Sequence, residues 1–353
     1  MNIPFLKLPY VVQLEVLKQM ECQEVFLLSL CSEKSKRVAQ SLIMRPMKIV
    51  YAFHEKRVLV SVALDDQYDR IHCVANMKFV SSIPSDQMRP VTLGGKEISC
   101  IFVNEISTRN KFIHAIHCLE EHSALESLQI HMNNLFRYQP HIELYVYSLC
   151  SMYQSGIIKN VTDSCFKIDE FNTEQLDKLL VIYPNQNSLH LTTKLIGPPF
   201  RNDSKLWALK GLAFRKVEDA IVGREIDEKC SEIIRNFGGK YLLMFNVVYD
   251  IDDWIHVIRN WKTKEAYQKL KCLYTKAPRG TAIEHAMTEF NFVKWDGQRR
   301  PRIAKFDPKI INIVTSFSEG HDCSHWLDIQ QDGGGKWASI KMTHNSIDFA
   351  VWD

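Results

Sequence analysis

"IPFLKLPYVVQLEVLKQMECQEVFLLSLCSEKSKRVAQSLI" occupies residues 3–43 and sets the first question. It is too apolar for a solvated tail and too short to hold a core alone, so its apolar surface must meet either the rest of the chain or another protein. Leu8-Pro9 opens a helical pattern in which Val12, Val16, Leu17 and Met20 recur at three- and four-residue steps, which predicts one apolar stripe. The pattern resets at Glu21 to Gln23, and Val25, Phe26, Leu28 and Leu30 predict a second short helix. Ser32 is placed to cap a third, with Lys34, Lys36 and Arg37 toward water and Val38 and Leu42 inward; Pro46 ends the unit.

Beyond Met47 the texture turns strand-like in "MKIVYAF", "RVLVSVAL", "IHCVANMKFV" and "ISCIFVNEI", with polar breaks such as Asp65-Asp66 and Gly94-Gly95 between them. After Arg109 helices and strands alternate. "RNKFIHAIHCLEEH" reads as a helix with Phe112, Ile113, Ile116 and Leu119 inward, and "LESLQIHM" as the strand after it. "TEQLDKLLVIY" then "NSLHLTT", and "DDWIHVIRNW" then "LKCLYTK", repeat the helix-then-strand order, with Asp250 or Asp252 as a cap and Trp254, Val257, Ile258 and Trp261 as a core stripe. This recurrence resembles the unit of leucine-rich repeat folds; an ordinary α/β arrangement fits it equally. The tail predicts strands around an Asp332-Gly333 turn. The expected class is α+β: three N-terminal helices over 1–46, a strand-rich connection over 47–110 and an α/β region over 111–353.

Composition narrows the function. Of 353 residues 46% are hydrophobic and 24% charged, an ordinary globular balance, and the net charge of +3 gives no argument for nucleic acid. Apolar runs fall short of the roughly 18 to 20 residues a bilayer crossing needs, and Lys7, Glu15 and Lys18 interrupt any secretion-signal core. A cytosolic or nuclear place is expected. Ten cysteines include no C-x-x-C pair, so free thiols are expected, with no metal and no cofactor.

The Leu8-Pro9 start, the two apolar helices and the "SLCSEKSKRV" exit together resemble the F-box, in the form found in nematode families; Ser35 stands near the place where many F-boxes carry tryptophan. "YDIDDWIHVIRNWKTKEAYQKLKCLY" and "DCSHWLDIQQDGGGKWASIKM" with "FAVW" resemble the second type of nematode F-box-associated region. The resemblance implies a substrate receptor of a Skp-cullin-F-box ubiquitin ligase, not an enzyme itself. Its F-box would meet a Skp-family adaptor, and through it a cullin, by way of Leu8, Pro9, Val12, Val16, Leu17, Met20, Val25, Phe26 and Leu28. The captured protein has no residue code and stays unassigned. An F-box interaction scaffold acting without a cullin is the alternative, and a metal or cysteine hydrolase the third reading.

That third reading rests on "HDCSHW" (His321, Asp322, Cys323, His325) and on His114, His117, Cys118 and His122, of which 114, 117 and 118 would share a helical face. Neither has zinc spacing or the H-E-x-x-H frame. Gly333 to Lys336 lacks the phosphate-loop frame, and the Arg299, Arg300, Arg302, Lys305 cluster around Pro301 reads as a solvated loop.

Overall fold

The structure is a computed structural model that describes residues 4–42, 44–64, 71–106, 112–119, 121–136, 140–217, 226–276, 289–306, 320–343 and 346–352. The chain forms two compact units, Met1–Asp163 and Ser164–Asp353.

Unit 1 begins with a 3-10 turn at Phe5–Lys7 and three helices, α1 (Tyr10–Gln19), α2 (Cys22–Cys31) and α3 (Glu33–Gln40). Strands β1 (Lys48–His54), β2 (Arg57–Ala63), β3 (Ile71–Phe79), β4 (Arg89–Leu93), β5 (Lys96–Ile106) and β6 (Phe112–Cys118) follow, then α4 (Glu121–Phe136), β7 (His141–Val146) and α5 (Leu149–Ser155). The sheet order is β7-β1-β2-β3-β6-β5-β4, with β1–β7 and β3–β6 parallel and β1–β2, β2–β3, β4–β5 and β5–β6 antiparallel. Each of the four strand-like pieces of the sequence is a strand here. The Asp65-Asp66 break lies outside the described residues. Gly94-Gly95 makes the two-residue turn between β4 and β5 with both φ angles positive, and a Cβ on Gly94 would come 2.3 Å from the Ser127 carbonyl oxygen of α4. Glycine is required there twice over.

Two sequence expectations are reversed in this unit. The segment expected as a helix around Phe112 is β6, and "LESLQIHM" lies inside α4. Neighbouring Ala115 and Ile116 are both buried, one on each face of β6, so apolar residues recur without the strand period of two and mimic a three- and four-residue spacing. Helicity of the next segment shows only over its full 16 residues, where Ala124, Leu125, Leu128, Met132 and Leu135 are buried at helical steps. As a result His114 and His117 point to opposite faces of a strand, and the expected histidine face of a helix does not form.

Unit 2 contains β8 (Val161–Asn172, starting at the boundary), α6 (Thr173–Ile182), β9 (Ser188–Ile196), a 3-10 turn at Lys205–Ala208, β10 (Gly211–Arg215), α7 (Glu228–Asn236), β11 (Tyr241–Phe245), α8 (Ile251–Lys262) and β12 (Cys272–Lys276). Short β13 (Val293–Lys294), β14 (Ile303–Ala304) and β15 (His321–Asp322) lead to β16 (Leu327–Gln330), β17 (Trp337–Thr343) and β18 (Ser346–Val351). Strands stand in the order β8-β9-β10-β11-β12-β18-β17-β16-β13, and β14 pairs with β15 apart from this sheet. From β9 to β12 every neighbouring pair is parallel and in chain order, each step bridged by a helical segment. Of the three helix-then-strand units expected, the two in this unit are present, as α6–β9 and α8–β12. Leu189, Leu212, Leu242 and Leu273 stand directly opposite one another, a leucine row across four strands with each side chain buried.

Trp254, Val257, Ile258 and Trp261 of α8 are fully buried; Trp261 meets the Phe349 ring edge-on, and Trp254 donates to Thr275 Oγ1 at 3.2 Å. Asp250 caps the helix by accepting from the Asp252 amide. The basic cluster is only in part a solvated loop: Arg302 and Lys305 are exposed and Arg299 is half-buried, but Arg300 is buried. Arg300 is 5% exposed, donates to Asp328 Oδ1 at 2.8 Å and to the Cys323 carbonyl at 2.7 Å, and lies over the Trp295 and Trp352 rings. Ser339 Oγ donates to the same Asp328 oxygen and accepts from Trp352 Nε1. Hydrogen bonds to Asp328 and to the Pro301 and Cys323 carbonyls offset the cost of burying that arginine, which composition alone does not reveal.

Candidate adaptor-binding surface

The three N-terminal helices are built by local chemistry. Pro9 is the residue before α1, where its missing N–H costs nothing. Gln13 is buried and its amide donates to the Leu8 carbonyl at 2.8 Å, tying the Leu-Pro entry to the helix. Glu21 and Glu24 form a reciprocal capping box that starts α2, and Ser32 accepts from the Ser35 amide at 3.0 Å to start α3. Ser35 and Ala39 are the buried residues of α3, while Val38 and Leu42 are only half-buried. A small side chain at 35 lets α3 lie close to its neighbours.

Burial then sorts the expected site residues. Leu17, Val25 and Phe26 are fully buried and have no surface to offer a partner; they pack inside unit 1 instead, Phe26 against His131 of α4. Val12 (42%) and Val16 (39%) are exposed, together with Tyr10 (57%) and Val11 (69%), two residues the sequence pattern did not single out. Leu8, Met20 and Leu28 are half-buried and Pro9 is exposed. The single stripe expected on α1 is thus two: Gln13 and Leu17 inward, Val12 and Val16 outward. Each pair is separated by one helical turn, and 16 and 17 are a hundred degrees apart. Adjacent apolar residues at the start of α1 were the available signal for Tyr10 and Val11, since one inward face cannot take three consecutive side chains.

α2 buries Cys22, Gln23, Val25, Phe26 and Ser29, and it packs on β3 and β4. Gln23 donates to the His114 carbonyl at 2.8 Å and accepts from the His114 amide at 3.3 Å, and Gln40 donates to the Asn134 carbonyl at 2.8 Å. His131 of α4 is buried against the edge of the Phe26 ring. Its Nδ1 accepts from the Gly94 amide at 3.4 Å, so Nε2 carries the proton and donates to Ser29 Oγ at 2.8 Å; Ser29 in turn donates to the Phe26 carbonyl at 2.6 Å. Burial pushes the His131 pKa down to about 4, helped by Lys36 and opposed by Glu33.

The other constellations have a different character. Burial raises the Cys323 thiol to about 12, and its Sγ–H donates to the His321 carbonyl at 3.4 Å. A thiol so placed is no nucleophile near neutral pH. Among the described residues no group of three or more His, Cys, Asp and Glu side chains is placed to hold a metal ion, and no helix is long and apolar enough to cross a membrane.

A family model of the F-box domain matches residues 5–45. This span contains α1, α2 and α3, so the N-terminal helices are an F-box and the remainder is a sheet-rich mixed α/β region. F-box domains bind Skp-family adaptors, and proteins that carry them are in general adaptors and not enzymes. No curated protein and no solved structure matches the chain.

Proposed function

We infer that the chain is a substrate receptor of a Skp-cullin-F-box ubiquitin ligase, working in the cytosol or nucleus. The observation that carries this reading is the group of four exposed apolar side chains, Tyr10, Val11, Val12 and Val16, on the first helix of a span that matches the F-box. Exposed valines on one short helix leave apolar surface in water, and covering that surface is a source of affinity for an adaptor helix. Pro9, Leu8 and Met20 flank the same helix. Leu17, Val25, Phe26 and the inner part of α2 serve by holding it in place. The region after the F-box, read as a nematode-type F-box-associated domain with a repeat-like leucine row, would capture the protein to be modified. Its role is to raise the local concentration of a target lysine near a ubiquitin-loaded enzyme carried by the cullin.

Co-expression with a Skp-family adaptor and a cullin tests the reading. A stable three-component complex is expected. Adaptor capture without cullin would support the scaffold alternative instead, and failure to capture the adaptor would remove the reading altogether.

A further inference from the structure

Among the described residues, the carboxyl end of β10 holds a cation, Arg215, that forms no ion pair with a carboxylate. Thr192, Arg215 and Phe245 stand directly opposite one another on β9, β10 and β11. They share one face of the sheet, and α8 packs on the other, since it touches Thr275 and Phe349, whose neighbours Tyr274 and Asp348 alternate to the Arg215 side. Arg215 is exposed and its guanidinium lies 4.9 Å from the centre of the Phe245 ring. Among the described residues no carboxylate or carbonyl accepts a hydrogen bond from it. Lys167 on β8 is exposed as well, and the two cations together add to the burial that depresses the His190 pKa to about 4. Thr192 Oγ1 lies 3.3 Å from His190 Nε2, at the border of the same positive spot.

A guanidinium lying on an aromatic ring is desolvated on one flat side and held in one plane, so its edge donors face outward in a fork that matches the two oxygens of a carboxylate. A phosphate dianion has three acceptor oxygens and draws on several donors at once, whereas among the described residues Arg215 supplies the one fork at this edge. Charge and shape together select the occupant. We propose that this strand-end edge docks an acidic peptide segment, with a Glu or Asp carboxylate seated on Arg215 above Phe245 and the peptide lying past Thr192. In a ubiquitin-ligase receptor that segment would belong to the captured protein, and this clause alone rests on the function inferred above.

The test is fluorescence anisotropy of the full chain bound to its adaptor, at low salt, with a labelled glutamate-rich decapeptide, its glutamine counterpart and its phosphoserine counterpart. The glutamate peptide is expected to bind at least about tenfold tighter than the glutamine one, with the preference shrinking as salt screens it. Arg215→Glu is expected to abolish binding, and Arg215→Lys to weaken it because a point charge replaces the fork. Both should leave adaptor capture unchanged. Equal binding of the glutamine peptide, or undiminished binding by a folded Arg215→Glu chain, overturns the proposal. So does a phosphoserine peptide that binds much tighter than the glutamate one through Arg215, because the occupant would then be phosphate. A wild-type chain that binds the peptide without capturing any adaptor in a parallel assay would remove the ligase reading and leave the docking edge standing.

Discussion

Val16 and Leu17 are neighbours in sequence and opposites in structure: one valine is 39% exposed while the leucine beside it is fully buried. Leu17→Ala is therefore expected to lower stability by about 2 to 5 kcal/mol through the cavity it leaves, read as a drop in the urea midpoint. His131 makes a second residue-level statement, about pH. Its folded pKa of about 4 lies below the ordinary histidine value, so the folded chain binds fewer protons between those two values than the unfolded chain does. The stability it contributes is fully present above the unfolded value and is lost as pH falls through that window, by up to about 3 kcal/mol at full protonation. His190 titrates in the same direction in unit 2, so the comparison must be between wild type and His131→Gln. The variant should be less stable at neutral pH, and the gap should narrow by pH 4.5. A gap that widens on acidification would contradict the assigned neutral imidazole.

At the scale of elements, legibility followed how completely a pattern was determined by its own segment. The F-box helices, α6, α8 and the strands β9, β12, β17 and β18 carry their period and their caps within a few residues, and the sequence located them. β6 and α4 are exchanged relative to their sequence pattern because β6 buries residues on both of its faces, and because the helical repeat of α4 shows only over its full 16 residues. The buried place of Arg300 was invisible, since Asp328, Ser339 and Trp352 reach it from strands far along the chain. Removing that arginine leaves the buried Asp328 with only the Ser339 hydroxyl and, at 3.5 Å, the Arg299 guanidinium. Arg300→Ala should then cost about 3 to 5 kcal/mol, much more than Arg299→Ala, whose side chain is partly exposed. Calorimetry on the two variants measures the difference. In the leucine row, Leu212→Ala should cost about 2 to 5 kcal/mol, because its neighbours on both sides are fixed by strand pairing and cannot close the gap.

For the whole molecule, the division between helices and strands near residue 46 is a change of secondary structure inside one compact unit, since Met1–Asp163 holds the F-box and its sheet together. The opening stretch binds its own chain with the inner face of α2 and leaves the outer face of α1 in solvent. A chain beginning at Met47 would expose the surface that α2 covers and leave His131 without Ser29, so it is expected to unfold at lower denaturant than the full chain or to aggregate. That shared unit also means an adaptor on α1 is held at a fixed place relative to the first sheet. The part of the site that sequence could not supply is this sorting of apolar residues into inner and outer faces, because both sets have the same composition and the same spacing. The most direct measurement is the affinity of the full chain for a Skp-family adaptor, in wild type and in Val12→Asp and Val16→Asp, with thermal unfolding recorded for each. Both variants should unfold at the wild-type temperature and lose about 2 kcal/mol or more of adaptor binding. Folded variants that hold the adaptor as tightly as wild type would contradict the assignment of the outer face of α1 as the adaptor-binding surface.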